Sequence, residues 1–331
     1  MLHSQLTTLH TVSLILQLLA ERPGLSAESL LEGSGIRLAD LQHPDFRIST
    51  NQEMRVCANA REHCQSLGLE LGRRMHVSSY GALGYTLISS ATLGDALQRA
   101  LEFPALLGTY FELSLVREGE RVWLQAAGYR DQAELETFNT EFCLASMKLI
   151  CDDLLGRSLP LIGAQFTHAA PAYEAQYRHS FPCPRQFEAP RNAFAFAAEW
   201  LEQRLPLADP VTHCDMLARC RQLNQEFTSR QSLVMRCRQL LAAQLETPPG
   251  LDGLASQLHC SSRSLRRHLH DAGSSYQSLL DELRYARARH LLEQGELPIY
   301  RIAEAMGYSE TASFRHAFQR WSGQPPSRFR A

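Results

Sequence analysis

The segment YSETASFRHAFQRWSG (Tyr308–Gly323) sets the rings of Tyr308, Phe314, Phe318 and Trp321 among Arg315, His316 and Arg320. Wound at 100° per residue, Phe314, Phe318 and Trp321 share one side of a helix. Ala312, Arg315, His316 and Gln319 then face the other way, with Arg320 beside them. Hidden rings and outward donors describe a helix pinned to a core that offers hydrogen bonds to something outside it.

An earlier stretch has the same pattern. Ala255, Leu258 and Ser261 recur 48 positions later as Ala303, Met306 and Ser309; Leu265, Leu269 and Ala272 recur 49 later as Phe314, Phe318 and Trp321. The second copy thus carries one inserted residue. Each copy reads as a short helix with a small buried alanine, a tight turn and a longer amphipathic helix, the pattern of a helix-turn-helix. With Leu265, Leu269 and Ala272 inward, Arg263, Arg266, Arg267 and His270 point outward. Two copies offering the same face in the same register argue against an ordinary solvated bundle surface. Donors along a helix suit the major groove, where Arg pairs with guanine O6 and N7 and Gln with adenine N6 and N7. Between the copies, SYQSLLDELRYARARHLLEQ runs without Pro or Gly. As a helix it extends roughly 30 Å, close to the roughly 34 Å between successive major-groove faces of B-DNA.

Charge divides accordingly. Residues 230–331 hold 14 basic and 9 acidic side chains, whereas the remainder holds 19 and 26, within a chain of net charge −2. A basic tail on an acidic body points to a polyanion as the tail's partner. Composition, at 44% apolar and 21% charged over 331 residues, excludes disorder and allows two domains. TVSLILQLLA (Thr11–Ala20) is too short to span a bilayer and lacks the basic flank of a secretion signal. Nine scattered cysteines without a C-x-x-C pair are the usage of free thiols in a reducing compartment, so a cytoplasmic protein is expected. Cys57 and Cys64 lie two helical turns apart beside His63 and read as core packing, because a metal needs three or four convergent ligands. No metal or cofactor is expected.

Pro206, Pro210 and ETPPG (Glu246–Gly250) punctuate the second half. Residues 1–205 mix helical patterns, STNQEMRVCANAREHCQSL and ELETFNTEFCLASMKLICDDLLG, with alternating runs that read as strands: FELSLVR, RVWLQAAG and AFAF. This predicts an α+β domain over 1–205, followed by an all-α tail with two helix-turn-helix motifs over 230–331. Residues 206–229 read as a connecting helix with a role in dimerisation, ending where Thr228 and Ser229 offer a cap before a new helix over 230–245.

The tail resembles the DNA-binding domain of the AraC/XylS family of transcription regulators. That family's pattern I-x-x-I-A-x-x-x-G-F-S, a polar run, F-x-x-x-F-K, G and P-x-x-Y/F-R appears here as IYRIAEAMGYS, ETASFRHAFQ, Gly323 and PSRFR. Tyr308 stands for the common Phe and Gln319 for the common Lys, the latter weakening one phosphate contact. The resemblance implies that Arg263, Arg266 and Arg267 in the first copy, and Thr311, Ala312, Arg315 and His316 in the second, approach bases or phosphates, with Arg320 on phosphate. Ser262, His270, Glu310 and Gln319 complete the candidate DNA-facing set. The runs LLEGSGI, LGLELGRRM, YGALGYTLISSATLGDAL and FEAPRNAFAF resemble the regulatory domain, called arabinose-binding in the family's naming, of the subgroup that includes ornithine-utilisation regulators. It implies effector sensing and dimerisation. Expected partners are therefore double-stranded DNA, a small-molecule effector and a second copy of the chain, with RNA polymerase a further candidate and no membrane. A rival reading has the first domain answer only to protein partners.

Two further signals belong to the first domain. AraC-like modules also occur fused to alkyl-transfer repair domains with a P-C-H-R cysteine. Here FPCPR carries Cys183, but Pro184 replaces the histidine that would take the thiol proton, so a non-enzyme is expected. YGALGY (Tyr80–Tyr85) lacks the strand and third glycine of a dinucleotide fingerprint and reads as helix packing through small residues. Its sharper reading joins Tyr80 and Tyr85 to Phe103, Tyr110, Phe111 and Trp123 in an apolar effector pocket.

Overall fold

Period-two alternation makes β3 (Glu112–Glu118), β4 (Arg121–Ala127) and β7 (Asn192–Ala197) from the three runs expected to be strands. In the computed structural model, residues 6–7, 9–19, 25–42, 48–129, 132–272, 274–295 and 297–330 are described. They divide into two compact units, one ending at Phe227 and the other beginning at Thr228.

In the first unit, β5 (Gly163–Gln165) and β6 (Arg185–Gln186) complete a five-stranded sheet of order β3-β4-β7-β5-β6. All its pairs are antiparallel except β5 with β6. Leu115 opposes Leu124, and Leu124 opposes Phe194. Val122, Leu124, Ala126, Phe194 and Phe196 turn into the main core, while Trp123, Ala193 and Ala195 pack on the opposite face. A two-stranded sheet pairs β1 (Leu6–Thr7) with β2 (Ile48–Ser49).

Helices fill the rest of this unit: α1 (His10–Leu19), α2 (Ala27–Leu31), α3 (Thr50–Arg61), α4 (Leu67–Gly72), α5 (Gly81–Ile88), α6 (Leu93–Glu102), α7 (Pro104–Leu107) and α8 (Glu136–Leu155). Local chemistry starts several of them. Ser49 Oγ accepts from Gln52 N at 3.3 Å while Gln52 Oε1 accepts from Ser49 N at 3.0 Å, a reciprocal cap for α3. Thr92 Oγ1 accepts from Asp95 N at 3.1 Å to open α6. The apolar α1 buries Val12, Ile15 and Leu19 in the core, and Cys57 and Cys64 are also buried there. No helix among the described residues is long and apolar enough to cross a membrane.

α8 carries three buried polar residues in a row, Asn139, Thr140 and Glu141. Glu141 Oε1 accepts from the hydroxyls of Tyr173, at 2.8 Å, and Tyr177, which itself lies 3.3 Å from His168 Nε2. The other oxygen, Oε2, is buried with no hydrogen-bond partner among the described residues and faces Gly68 of α4, where a Cβ would come within 2.9 Å of it. Burial drives the carboxyl pKa up to about 7, against the pull of the two tyrosine hydroxyls and of Arg61.

The expected break at Thr228 and Ser229 is absent: α9 is one helix from Pro210 to Ala242. Capping requires the backbone to leave the helix, and with neither Pro nor Gly nearby nothing forces it out. The change of stripe separates two stretches of one helix, Cys220 lying in the first unit's core and Val234, Cys237 and Leu241 in the tail's. Next come α10 (Leu251–Gln257), α11 (Ser262–Asp271), α12 (Tyr276–Gln294), α13 (Ile299–Ala305), α14 (Thr311–Ser322) and a closing 3-10 turn, Pro326–Phe329. α10 and α13 coincide at the 48-residue offset, and α11 and α14 begin 49 apart, as the repeat requires. The two copies close the same bond across the turn: Cys260 N donates to Ala255 O and Tyr308 N to Ala303 O, each at 3.0 Å.

Each copy has its own core. Leu254, Ala255, Leu258, Leu265, Leu269 and Ala272 pack with α9 and with Leu279 of α12. Ile302, Ala303, Met306, Phe314 and Phe318 pack with Ala288, Leu291 and Leu292 from the other end of α12. Rings of Tyr285, Tyr308, Trp321 and Phe329 border the second core, Phe329 meeting Phe318 edge-on at 5.3 Å. The inserted residue changes the start of the longer helix. Ser261 caps α11, its Oγ accepting from Ser264 N at 3.1 Å, whereas α14 starts after Glu310 with no side-chain cap.

Removing the Ser261 hydroxyl (Ser261→Ala) is expected to cost about 1 kcal/mol of tail stability in urea unfolding, against less than about 0.5 for Glu310→Ala. For Glu141 the folded pKa lies above the ordinary value near 4.5. Below 4.5 both states hold the proton; between 4.5 and 7 only the folded state does, so stability falls as pH rises and levels off above 7. Urea melts of wild type and Glu141→Gln across pH 4 to 8 should diverge by up to about 3 kcal/mol, with the wild type losing stability toward high pH.

Candidate nucleic-acid interface

Leu265 and Leu269 anchor α11 with their side chains fully inside, which turns Arg263, Arg266, Arg267 and His270 out to solvent. These four line one shallow surface depression together with Ser262. Ser262 is half-buried, and its hydroxyl donates to Asp252 of α10, tying the start of α11 to the preceding helix. On α14, burial of Phe314 and Phe318 leaves Ala312, Arg315, His316, Gln319 and Arg320 exposed. Thr311 is half-buried in the first turn, and Glu310 is exposed just before it.

The cations differ in their surroundings. Among the described residues no carboxylate forms an ion pair with Arg263, Arg266, Arg267 or Arg315, so these guanidinium groups meet an incoming anion without first breaking a bond. Arg320 Nη2 lies 3.4 Å from Asp281 Oδ2 of α12. An exposed pair of that kind is worth between 0 and about 1 kcal/mol, so it exchanges readily for a phosphate. The sequence reading missed Asp252 and Asp281. They are ten and 39 residues from their partners, and no spacing rule links them.

Of the six aromatic residues proposed to share an effector pocket, Tyr80, Phe103, Tyr110 and Phe111 pack in or against the main core, while Tyr85 and Trp123 lie apart from them. Phe103, Tyr110 and Phe111 belong to the main core, where the Tyr110 hydroxyl donates to Glu53 Oε2 at 2.7 Å. Trp123 sits on the other face of the sheet because adjacent strand residues point oppositely. There Arg191 lies 4.2 Å above its ring, and its Nε1 donates to Glu118 Oε2 at 2.9 Å. Tyr85 is 60% exposed, while Tyr80 is half-buried with its hydroxyl against Ser146 and its pKa raised by desolvation. In YGALGY the packing reading fits: a Cβ on Gly84 would stand 2.0 Å from the Val77 carbonyl oxygen. The polar group sequence reading overlooked in this unit is Glu141 with Tyr173 and Tyr177. Its signal was faint, two tyrosines one helical turn apart in AYEAQYRH and one carboxylate amid an apolar helical run.

Cys183 is half-buried, and desolvation raises its pKa against the opposing charge of Arg185. That guanidinium is turned to the carbonyl oxygens of Phe181 and Cys183, at 3.1 Å each. Among the described residues, the positive charges of Arg185 and Lys148 are outweighed by the cost of burying a thiolate here.

Comparison with known proteins bears on both units. Residues 24–205 match the arabinose-binding N-terminal domain of AraC transcription regulators, and residues 254–331 match a helix-turn-helix domain. The chain is 35% identical to the ornithine utilization regulator of Pseudomonas aeruginosa, over 96% of this chain and 94% of that one. It is 30% identical to the HTH-type transcriptional regulator VqsM of the same organism, over 80% and 83%. With the HTH-type transcriptional regulator VirS of Mycobacterium tuberculosis it shares 26% identity over 81% and 79%. These relatives are transcriptional regulators. With an effector-type domain ahead of a doubled helix-turn-helix, the chain belongs to the AraC family of DNA-binding transcription regulators.

Proposed function

We propose that α11 and α14 enter successive major grooves of one DNA duplex, with Arg263, Arg266, Arg267 and His270 of the first, and Thr311, Ala312, Arg315, His316 and Gln319 of the second, meeting bases or phosphates. Arg320 leaves Asp281 for a phosphate, and Ser262 and Glu310 flank the two contacts. The observation that carries this reading is the repeat itself: two helices of different sequence bury the same positions and expose cations at the same register. α12, at 19 residues, extends roughly 28 Å, short of one helical repeat of B-DNA by an amount that a modest bend of the duplex absorbs.

In this reading residues 1–205 sense a small-molecule effector, residues 206–229 take part in pairing two chains, and residues 230–331 read the operator. Effector binding shifts how a pair of tails is held, which requires the ligand to favour one arrangement over the other. The protein works in the cytoplasm as a regulator without catalytic activity, and RNA polymerase is a further partner. Support for an effector comes from the match of residues 24–205 to a ligand-sensing domain type. Thermal stabilisation of the purified protein by one member of a metabolite panel, with a matching change in operator affinity, is the expected result. Equal affinity in every ligand state would leave the first domain to protein contacts alone.

Arg315→Ala is expected to cost about 1 to 3 kcal/mol on the cognate duplex and to relax preference at one base pair, while non-specific binding holds. Arg320→Ala should weaken all sequences alike and lower the slope of log K against log salt by about one unit. Competition gel shifts at several salt concentrations distinguish the two; a uniform loss from Arg315→Ala would reassign it to phosphate.

A further inference from the structure

Positions 259 and 307 are equivalent in the repeat, and both hold the turn in the left-handed region, His259 at φ 53° and Gly307 at φ 75°. With the same closing bond in each copy, the turn as such accepts a side chain, since histidine occupies it in the first. Glycine at 307 therefore answers to something other than its dihedral angles. A Cβ there would lie 2.6 Å from the Glu246 carbonyl oxygen, 3.0 Å from that of Leu245 and 2.9 Å from Arg284 Nη2. Leu245 and Glu246 follow α9 and belong to the half of the tail that carries α11. Two of the three obstacles are backbone atoms, which cannot swing aside as a side chain would.

Other contacts close on the same spot. The Arg284 guanidinium lies 4.8 Å from the centre of the Tyr308 ring, and its Nε is buried with no partner among the described residues. Arg238 of α9 pairs with Glu282, and Arg320 of α14 with Asp281, on the same turn of α12. The turn of the second helix-turn-helix is thus seated on the backbone of the first half, and two ion pairs tie α9 and α14 to neighbouring residues of α12.

We infer that Gly307, with Arg284 over Tyr308, is the joint that sets the separation and angle of α11 and α14, and so the spacing of the two DNA elements this protein accepts. Gly307 and Arg284 are positioning residues: they act through the reading helices and touch no base. The inference rests on the groove reading proposed above. Gly323 supplies a control, because it has φ 74° with nothing among the described residues within 4 Å of a Cβ, so Gly323→Ala imposes left-handed strain without the collision.

The test uses the full chain and duplexes that the unmodified protein selects from a random-sequence pool, re-made with one base pair added or removed between the two footprinted elements. Unmodified protein and Gly323→Ala are expected to lose roughly tenfold or more in affinity on the altered spacing, and Gly307→Ala to bind all three spacings within about threefold of one another. Circular dichroism reports whether Gly307→Ala is folded; if it is not, Arg284→Met is read by the same criterion. A folded Gly307→Ala, or Arg284→Met in its stead, that keeps the full spacing penalty overturns the joint. Failure of the unmodified protein to select any duplex would instead remove the groove reading on which the joint depends.

Discussion

A helix of ten or twelve residues has one side to bury, and what it buries decides what it shows. In α11 that side is leucine and alanine, and in α14 it is phenylalanine and tryptophan. Burying a leucine or phenylalanine is worth about 1.5 to 3 kcal/mol, whereas drawing an unpaired guanidinium into the same core would cost several times that. The cationic faces are therefore consequences of the apolar ones. Because both copies obey the constraint with different residues, the outward pattern survives a change from aliphatic to aromatic packing.

Neither core of the tail is large, and both are threaded on one helix. The first half of α12 gives Leu279 to the α10–α11 core, and the second half gives Ala288, Leu291 and Leu292 to the α13–α14 core. Modules of this size are marginal alone, so a shared helix couples their stabilities as well as their positions. Side-chain ion pairs at Asp281 and Glu282 would be weak fastenings by themselves. The close seating of the second turn on the Leu245–Glu246 backbone adds steric definition that ion pairs lack.

The first unit spends part of its interior on polar groups. Glu141 sits fully inside on α8, two tyrosine hydroxyls share one of its oxygens, and the other has no partner among the described residues. Such an arrangement costs stability when the carboxyl is ionised, and stable packing alone does not call for it. Its partner Tyr177 belongs to a ring cluster with Phe166, Phe181 and Phe187, in which Phe166 lies 4.9 Å from Tyr177 and Phe187 5.2 Å from it.

Much of this fold is legible in the sequence. Period-two runs became β3, β4 and β7; the 48- and 49-residue offsets became paired helices; and the turn of each reading helix followed from where its apolar residues recur. These are local properties: strand alternation and helical phase depend on neighbours a few residues away. Tertiary structure alone decided the rest. Helical phase changes at residue 228 without the chain leaving the helix, because a stripe records which core is touched and says nothing of whether the backbone breaks. Trp123 parted from Tyr80, Phe103, Tyr110 and Phe111 because composition does not encode which face of a sheet a ring occupies relative to distant helices. The need for glycine at 307 was hidden for the same reason: it arises from carbonyl groups some sixty residues away that only folding brings against it.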